Sequence, residues 1–88
     1  MTQRTITLQV VTEDMPEGVH GMSLPKNSKR DTDTYIVYIN EDDTEDEQTI
    51  AFLHECLHVW HRDHYRAGAN VSELEYERHE ELKRLLQL

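Results

Sequence analysis

The spacing of hydrophobic residues changes near the middle of the chain. Residues 4–11 alternate between polar and apolar positions, as expected of a β-strand with one buried face. Residues 34–40 carry the strongest strand pattern, Thr-Tyr-Ile-Val-Tyr-Ile-Asn, and residues 19–24 fit a short strand between the two. Residues 25–33 are polar and predict a turn of the hairpin type. The first half of the chain therefore predicts a small antiparallel sheet of about three strands.

The second half begins with a helical pattern over residues 45–61. Thr44 and Glu47 have the spacing of a capping box, and acidic residues in a first turn suit the positive end of the helix dipole. The acid-rich residues 41–47 otherwise predict a solvated loop. The residues expected on the buried face of this helix are Ile50, Leu53, Leu57 and Trp60, with Cys56 as a small core residue on its border.

A second helix is predicted over residues 71–86, with Asn70 or Ser72 as its N-cap. The residues expected on its buried face are Val71, Leu74, Leu82, Leu85 and Leu86. Strands followed by helices are typical of the α+β class. We therefore predict one domain, residues 1–88, in which the small antiparallel sheet is followed by two packed helices.

The composition restricts the compartment and the partners. Of the 88 residues only 36% are hydrophobic and 31% are charged, so the core is small. A net charge of -9 repels phosphate backbones and argues against nucleic acid as a partner. The single cysteine excludes an internal disulfide, and no stretch has the ~20 apolar residues of a membrane span. The N-terminal residues lack a signal-type apolar segment, so we expect a cytoplasmic protein without membrane contact.

The first predicted helix contains His54-Glu55-Cys56-Leu57-His58, which is an HExxH motif. Two histidines four residues apart lie on one face of a helix, where both can bind the same divalent ion. A glutamate beside the first histidine can take a proton from a metal-activated water, as in zinc hydrolases. The motif therefore predicts Zn²⁺ as cofactor, His54 and His58 as metal ligands, and Glu55 as the catalytic general base.

A catalytic zinc site usually has three protein ligands, and the chain offers two main candidates for the third. Glu75 lies within or beside the apolar face of the second helix, where a carboxylate is costly unless it is paired or binds a metal. It could instead close a capping box with Ser72. His64 completes an HExxHxxxxxH spacing, but a first helix continuing past His61 would place it ~15 Å from His54 along the axis. We predict Glu75 as the third metal ligand, with His64 as the alternative.

Several stretches between about residues 20 and 80 form a combined pattern. They are residues 21–24 (GMSL), 35–40 (YIVYIN), 51–58 (AFLHECLH), Asp63 and residues 71–79 (VSELEYERH). In this combination the chain resembles the ImmA/IrrE-type metallopeptidases, a gluzincin-like group common in phages, integrative elements and their bacterial hosts. One departure is Arg78, which stands where related sequences usually have a small residue.

The resemblance implies a minimal zincin-like core, with zinc bound by His54, His58 and Glu75 and with Glu55 as general base. It also implies that a peptide substrate adds to the sheet edge beside the helix, which here would be residues 34–40. The expected function is then a zinc metallopeptidase acting on a regulatory protein of a phage or mobile element.

Two alternatives stay open at this point. A catalytically inactive, zinc-stabilised protein-interaction module would keep the metal ligands without turnover. A metal-dependent ribonuclease would use three histidines, with His64 in place of Glu75, although the acidic composition is unfavourable for RNA.

Overall fold

The computed structural model describes residues 4–26, 33–66 and 68–87. Its main elements are the strands β1 (Thr7–Glu13), β2 (Gly21–Pro25) and β3 (Thr34–Asn40) and the helices α1 (Glu45–Trp60) and α2 (Val71–Leu86). A three-stranded sheet followed by two helices confirms the predicted α+β class. The bounds of β3 and α2 are the predicted ones, whereas β1 and β2 begin two to three residues later than expected. Of the predicted turn, residues 27–32 lie outside the described residues.

The sheet is mixed, not antiparallel throughout. Its strand order is β1-β3-β2, with β3 parallel to β1 and antiparallel to β2. Successive strands do reverse direction, as hairpin-type turns require. However, β3 inserts between the first two strands, so its neighbour β1 runs in the same direction. The central position suits β3 because it is the most apolar strand and gains partners on both edges.

The core lies where β3 meets α1. Tyr35, Val37 and Ile39 alternate along β3 and are almost fully buried. Val37 and Ile39 pack with Ala51 of α1, and Leu8 and Phe52 cover this cluster. The alternation therefore fixes which face of the sheet receives the first helix.

The buried face of α1 differs from the predicted one. Its buried residues are Ala51, Glu55, His58 and Val59. At about 100° per residue, these positions are centred on the side of the helix nearly opposite the predicted buried face. Ile50 and Trp60 are exposed, and Leu53 and Leu57 are only half-buried. The predicted burial of Ile50 and Trp60 is therefore wrong, and Cys56 is half-buried.

Close contact between α1 and β2 explains this orientation. A Cβ added at Gly21 would lie 3.1 Å from the carbonyl oxygen of Tyr38 and 3.5 Å from Cβ of Ala51. Small residues at both positions let the helix approach the strand closely. Glu55 and His58 then point inward, where each has a hydrogen-bond partner that makes burial tolerable.

The chain turns sharply after α1. The predicted capping box of Thr44 and Glu47 starts the helix, and Arg62, in a left-handed conformation (φ 56°), ends it. A 3₁₀ turn follows over Asp63–Tyr65. The helix does not continue past His61, so the ~15 Å axial separation expected for His64 does not apply.

The second helix packs against α1. Its N-cap is Asn70, whose side chain accepts a hydrogen bond from the Glu73 amide. Leu82 is buried and Leu74 half-buried, as predicted. The other residues expected on the buried face are exposed: Val71, Leu85 and Leu86. In their place the buried Arg78 points inward.

Both helices fall short of a membrane span. Each has 16 residues, and across residues 4–26, 33–66 and 68–87 no helix combines the length and the apolar character that a membrane span needs.

Candidate metal centre

Three predicted ligands converge between α1 and α2. His54 and His58 lie one turn apart on α1, and their Nε2 atoms are 3.1 Å apart. Glu75 of α2 spans them: its Oε2 is 3.0 Å from Nε2 of His54 and its Oε1 is 2.9 Å from Nε2 of His58. The three side chains form one of the groups in the described chain whose ligand atoms all lie within 4.8 Å of one another.

The arrangement of these donors fits a tetrahedral zinc ion. Zinc bonds to nitrogen and oxygen of about 2.0–2.2 Å place neighbouring ligands roughly 3.3–3.5 Å apart. The two Nε2 atoms, 3.1 Å apart, are close to this spacing, and each faces a different oxygen of Glu75, at 3.0 and 2.9 Å. One ligand atom from each of the three residues lies within 4.8 Å of the others. Two imidazoles and one carboxylate are also the ligand set of many catalytic zinc sites.

The N-cap of α2 rules out the capping role that the sequence had left open for Glu75. A capping box between Ser72 and Glu75 would require Ser72 to be the N-cap, but Asn70 has that position. The Glu75 side chain is 56% exposed, whereas that of His58 is 8% exposed. The donor group therefore extends from the core to the solvent and leaves one side accessible.

The side chain of Glu55, a residue of α1, lies between that helix and β2. It is only 8% exposed, and its Oε1 accepts a 2.6 Å hydrogen bond from Oγ of Ser23. Burial of a carboxylate is costly without such a partner. The sequence pattern included Ser23 but gave it no role, because its contact with Glu55 depends on how β2 lies against α1.

Asp63 orients the second histidine. Nδ1 of His58 donates a 2.9 Å hydrogen bond to Oδ2 of Asp63, which leaves Nε2 free to face Glu75. Carboxylate–histidine pairs of this kind fix the tautomer and ring orientation of metal ligands. Burial opposes ionisation of Asp63, but hydrogen bonds from His58 and Arg78 outweigh it and lower the pKa of Asp63. In the sequence this residue was part of the combined pattern, without an assigned role.

A chain of ion pairs continues from Asp63 through α2 and back to the end of α1. Arg78 donates from Nε to Asp63 and from Nη1 to Glu81, both at 2.9 Å. Glu81 also accepts from Nε2 of His61 at 2.9 Å. His61 is thus paired with α2 and is not among the converging donors.

His64 binds the sheet edge instead of the donor group. Its Nε2 lies 2.9 Å from the backbone oxygen of Ser23 and 3.0 Å from its Oγ. The His64 ring is 6.4 Å from the His58 ring, centroid to centroid. The turn after α1 therefore brings His64 near the site, but its ring nitrogen contacts Ser23.

Two cavities flank Glu55 and Glu75. One of about 500 Å³ extends towards the start of α1 and has apolar walls from Val19, Ile50 and Leu82. The other, of about 410 Å³, extends towards Asp63 and His64. Together they form a cleft along β2 with the converging donors at its middle.

The acidic segment before α1 contributes to two further groups that are more exposed. One contains His20, Asp43 and Glu47, and the other contains Asp14, Glu41 and Asp42. Hydrogen bonding to Asp43 raises the pKa of His20. Exposed acidic groups of this kind are common without a metal ion, and most of residues 41–47 are solvent-exposed, as predicted.

Comparison with known proteins adds no relative to this geometry. No protein-family model matches the chain, and no curated protein or solved structure is significantly similar to it.

Proposed function

We propose that the chain is a zinc-dependent metallopeptidase in which His54, His58 and Glu75 bind the ion and Glu55 is the general base. The main support is the convergence of the three donor groups from two helices beside a buried, oriented glutamate. The resemblance to ImmA/IrrE-type peptidases points to the same residues. Within this proposal the protein is cytoplasmic and its substrate is a protein or peptide.

Each residue of the centre has a defined part in peptide hydrolysis. Zinc, when bound, supplies a Lewis acid that acidifies a water molecule and polarises the scissile carbonyl. Glu55 accepts the proton of that water and later donates it to the leaving amine. Ser23 holds the Glu55 carboxylate in one orientation through both transfers, and Asp63 keeps the His58 ring aligned.

The sheet edge that a peptide substrate can use belongs to β2. The resemblance implied β3, but β3 is the central strand and is paired on both sides, so that expectation is corrected. The bonds of His20 and Lys26 to β3 show that even-numbered residues of β2 face β3. The backbone groups of Gly21 and Ser23 therefore point outward, beside Glu55. An extended peptide pairing there would displace His64 from the Ser23 carbonyl.

The resemblance and the charge of the chain both bear on the substrate. An ImmA/IrrE-type enzyme is expected to act on a regulatory protein of the same phage or mobile element. A net charge of -9 favours substrates that carry positive charge near the cleaved bond. We therefore propose an extended, basic segment of such a regulator as the substrate class.

The two alternative functions are affected differently by the geometry. The three-histidine ribonuclease requires His64 as a metal ligand, and its Nε2 atom instead contacts Ser23. The interaction module keeps the same donors as the peptidase, so only turnover separates the two.

The test combines metal analysis with cleavage of a peptide library. Purified wild-type protein is loaded with zinc, its metal content is measured, and the library digest is read by mass spectrometry. Glu55→Gln is expected to keep one zinc per chain and to lose at least about 100-fold in cleavage rate, the usual size of a general-base effect. Glu75→Ala is expected to lose zinc, and His64→Ala is expected to retain it.

The contrary results are equally specific. Zinc-loaded wild-type protein that cleaves no peptide favours the interaction module. Loss of zinc in His64→Ala, with retention in Glu75→Ala, moves the site to the three-histidine arrangement.

A further inference from the structure

Arg78 is a buried arginine that the proposed reaction does not use. It is 5% exposed, although it lies on the helix that forms the outer layer of the fold. Its guanidinium donates to Asp63 and Glu81 at 2.9 Å and to Glu77 at 3.3 Å. A buried arginine needs such partners, because an unpaired charge in the interior is strongly destabilising.

The contact with Asp63 reaches the metal centre through one shared oxygen. Oδ2 of Asp63 accepts a hydrogen bond from Nε of Arg78 and another from Nδ1 of His58. Arg78 also lies three residues after Glu75, one turn along the same helix. Helix α2 therefore supplies Glu75, which is the third donor. It also supplies Arg78, which holds Asp63 against His58.

We infer that Arg78 is a positioning residue of the zinc site, which fixes Asp63 against His58 and so sets the orientation of the His58 ring relative to Glu75. The inference rests on the proposed zinc site. The pairing of Glu81 with His61 anchors the other end of the guanidinium to α1. Arg78 thus joins the two helices whose separation determines whether one ion can reach all three donors.

The charge of Arg78 and its positioning role predict opposite effects of its removal on zinc binding. A cationic group close to a cation site repels the ion, so its removal should strengthen binding. Loss of positioning should weaken it. The direction of the change in zinc affinity therefore separates the two roles.

Arg66 provides a matched control. Its Nε is 3.5 Å from Oδ1, the other oxygen of the same Asp63 carboxylate, and its side chain is 46% exposed. Arg66→Met removes one positive charge near the site without removing a hydrogen bond to Oδ2. It reports how much of any change comes from charge.

The experiment measures zinc affinity by competition with a chromogenic chelator. Circular dichroism confirms that each metal-free variant is folded. Arg78→Met is expected to bind zinc at least about 10-fold more weakly, within the range found for residues that orient metal ligands. Arg66→Met is expected to stay within about twofold of the wild type, or to bind slightly more tightly. Co²⁺ in place of zinc should show a changed visible spectrum in Arg78→Met alone, because the spectrum reports ligand geometry.

A double-mutant cycle with Asp63→Asn tests the route of the effect. If Arg78 acts through Asp63, then Arg78→Met changes zinc affinity by less than about twofold in the Asp63→Asn background. An equal loss in both backgrounds indicates a general structural role and overturns the inference. Unchanged or tighter zinc binding by Arg78→Met overturns it while the zinc site stands. Absence of zinc binding in the wild type overturns the site and the inference together.

Arg78→Lys carries the test if Arg78→Met does not fold. Lysine keeps the buried charge but has one nitrogen to share between Asp63 and Glu81. Folded Arg78→Lys with at least about 10-fold weaker zinc binding supports the inference. Wild-type affinity in this variant shows that charge suffices and overturns it.

Discussion

Ser23 is the partner that makes the burial of Glu55 tolerable. The hydroxyl group donates a 2.6 Å hydrogen bond to a carboxylate that is 8% exposed. A buried acceptor that loses its donor retains the full cost of its desolvation. The stability of the fold therefore depends on a contact made by two residues of the proposed catalytic apparatus.

Ser23→Ala should lower the free energy of unfolding of the metal-free protein by about 1–3 kcal/mol. Urea denaturation followed by circular dichroism measures the change. Ser72→Ala, at an exposed position in the first turn of α2, is the control and should change the stability by less than about 0.5 kcal/mol. Equal effects of the two substitutions would show that the hydrogen bond to Glu55 contributes no stability.

The residues of the site differ in how far sequence could predict them. The proximity of His54 and His58 follows from their spacing within one helix. Glu75 was expected to face the core, but its side chain is exposed and meets the two histidines at the solvent side of the helix pair. Ser23, Asp63 and Arg78 act through contacts between segments far apart in the chain or across a turn. Such contacts depend on the strand order and on the left-handed residue that ends α1, and neither has a periodic signal.

At the scale of elements, Arg62 determines where the segment after α1 goes. Its left-handed conformation (φ 56°) is one that glycine adopts at no steric cost and other residues adopt at about 1–2 kcal/mol. The turn brings Asp63 to His58 and His64 to β2. The contacts that Asp63 and His64 make after the turn therefore offset the backbone strain at Arg62.

Arg62→Gly should raise the free energy of unfolding by about 0.5–1 kcal/mol, because relief of the left-handed strain exceeds the added entropy of the unfolded chain. The matched control is Arg66→Gly. Arg66 has a φ of -89°, which is ordinary for any residue, so this substitution should be neutral or destabilising. Thermal unfolding of both variants gives the comparison. A destabilised Arg62→Gly would indicate that the arginine side chain, 3.6 Å from Asp33, contributes more than the strain.

Arg4 connects the segment before β1 to the end of α1. Its guanidinium donates to the backbone oxygens of Val59 and Trp60 and to the Asp33 carboxylate beside β3. The hydrogen bond from Arg4 lowers the pKa of Asp33. A carboxyl group whose folded pKa lies below its unfolded value of ~3.9 stabilises the fold above that value.

Arg4→Met should therefore lower the stability by about 1–2 kcal/mol at pH 7, since the group is partly exposed and screened. The difference from the wild type should shrink as the pH falls from about 4, where Asp33 becomes protonated in the unfolded chain, through the lower pKa that Asp33 has in the folded state. Urea denaturation at several pH values measures it, with Arg62→Met as the control for charge near Asp33. A difference that is constant down to pH 2.5 would assign the effect to the two backbone oxygens.

The elements also show where sequence patterns were insufficient. The strand pattern of residues 34–40 correctly identified β3 and its bounds, but it carries no information on which strand becomes central. Helical periodicity found the bounds of α1 within one residue, yet it selected the most apolar face. The helix instead buries Glu55 and His58 because Ser23 and Asp63 satisfy them and because Gly21 and Ala51 permit close approach.

At the scale of the whole molecule, a small core and a large negative charge would make the stability sensitive to the proposed zinc ion. A chain of 88 residues with 36% hydrophobic content buries little apolar surface. Glu75 and its two histidine partners join α1 to α2. Because the donors are assembled only in the folded chain, the free energy of binding the proposed zinc ion would add to the free energy of folding.

Zinc should therefore raise the thermal midpoint in a concentration-dependent way. Free zinc at about 100 times its dissociation constant adds ~2.7 kcal/mol, which corresponds to roughly 10–20 °C for a domain of this size. Glu75→Ala should abolish most of this shift, whereas Glu73→Ala, an exposed acid in the first turn of the same helix, should preserve it. Scans in chelator and in buffered zinc provide the measurement. An equal shift in both variants would mean that zinc stabilises the molecule through its general negative charge, and the cation would then have no specific site between the two helices.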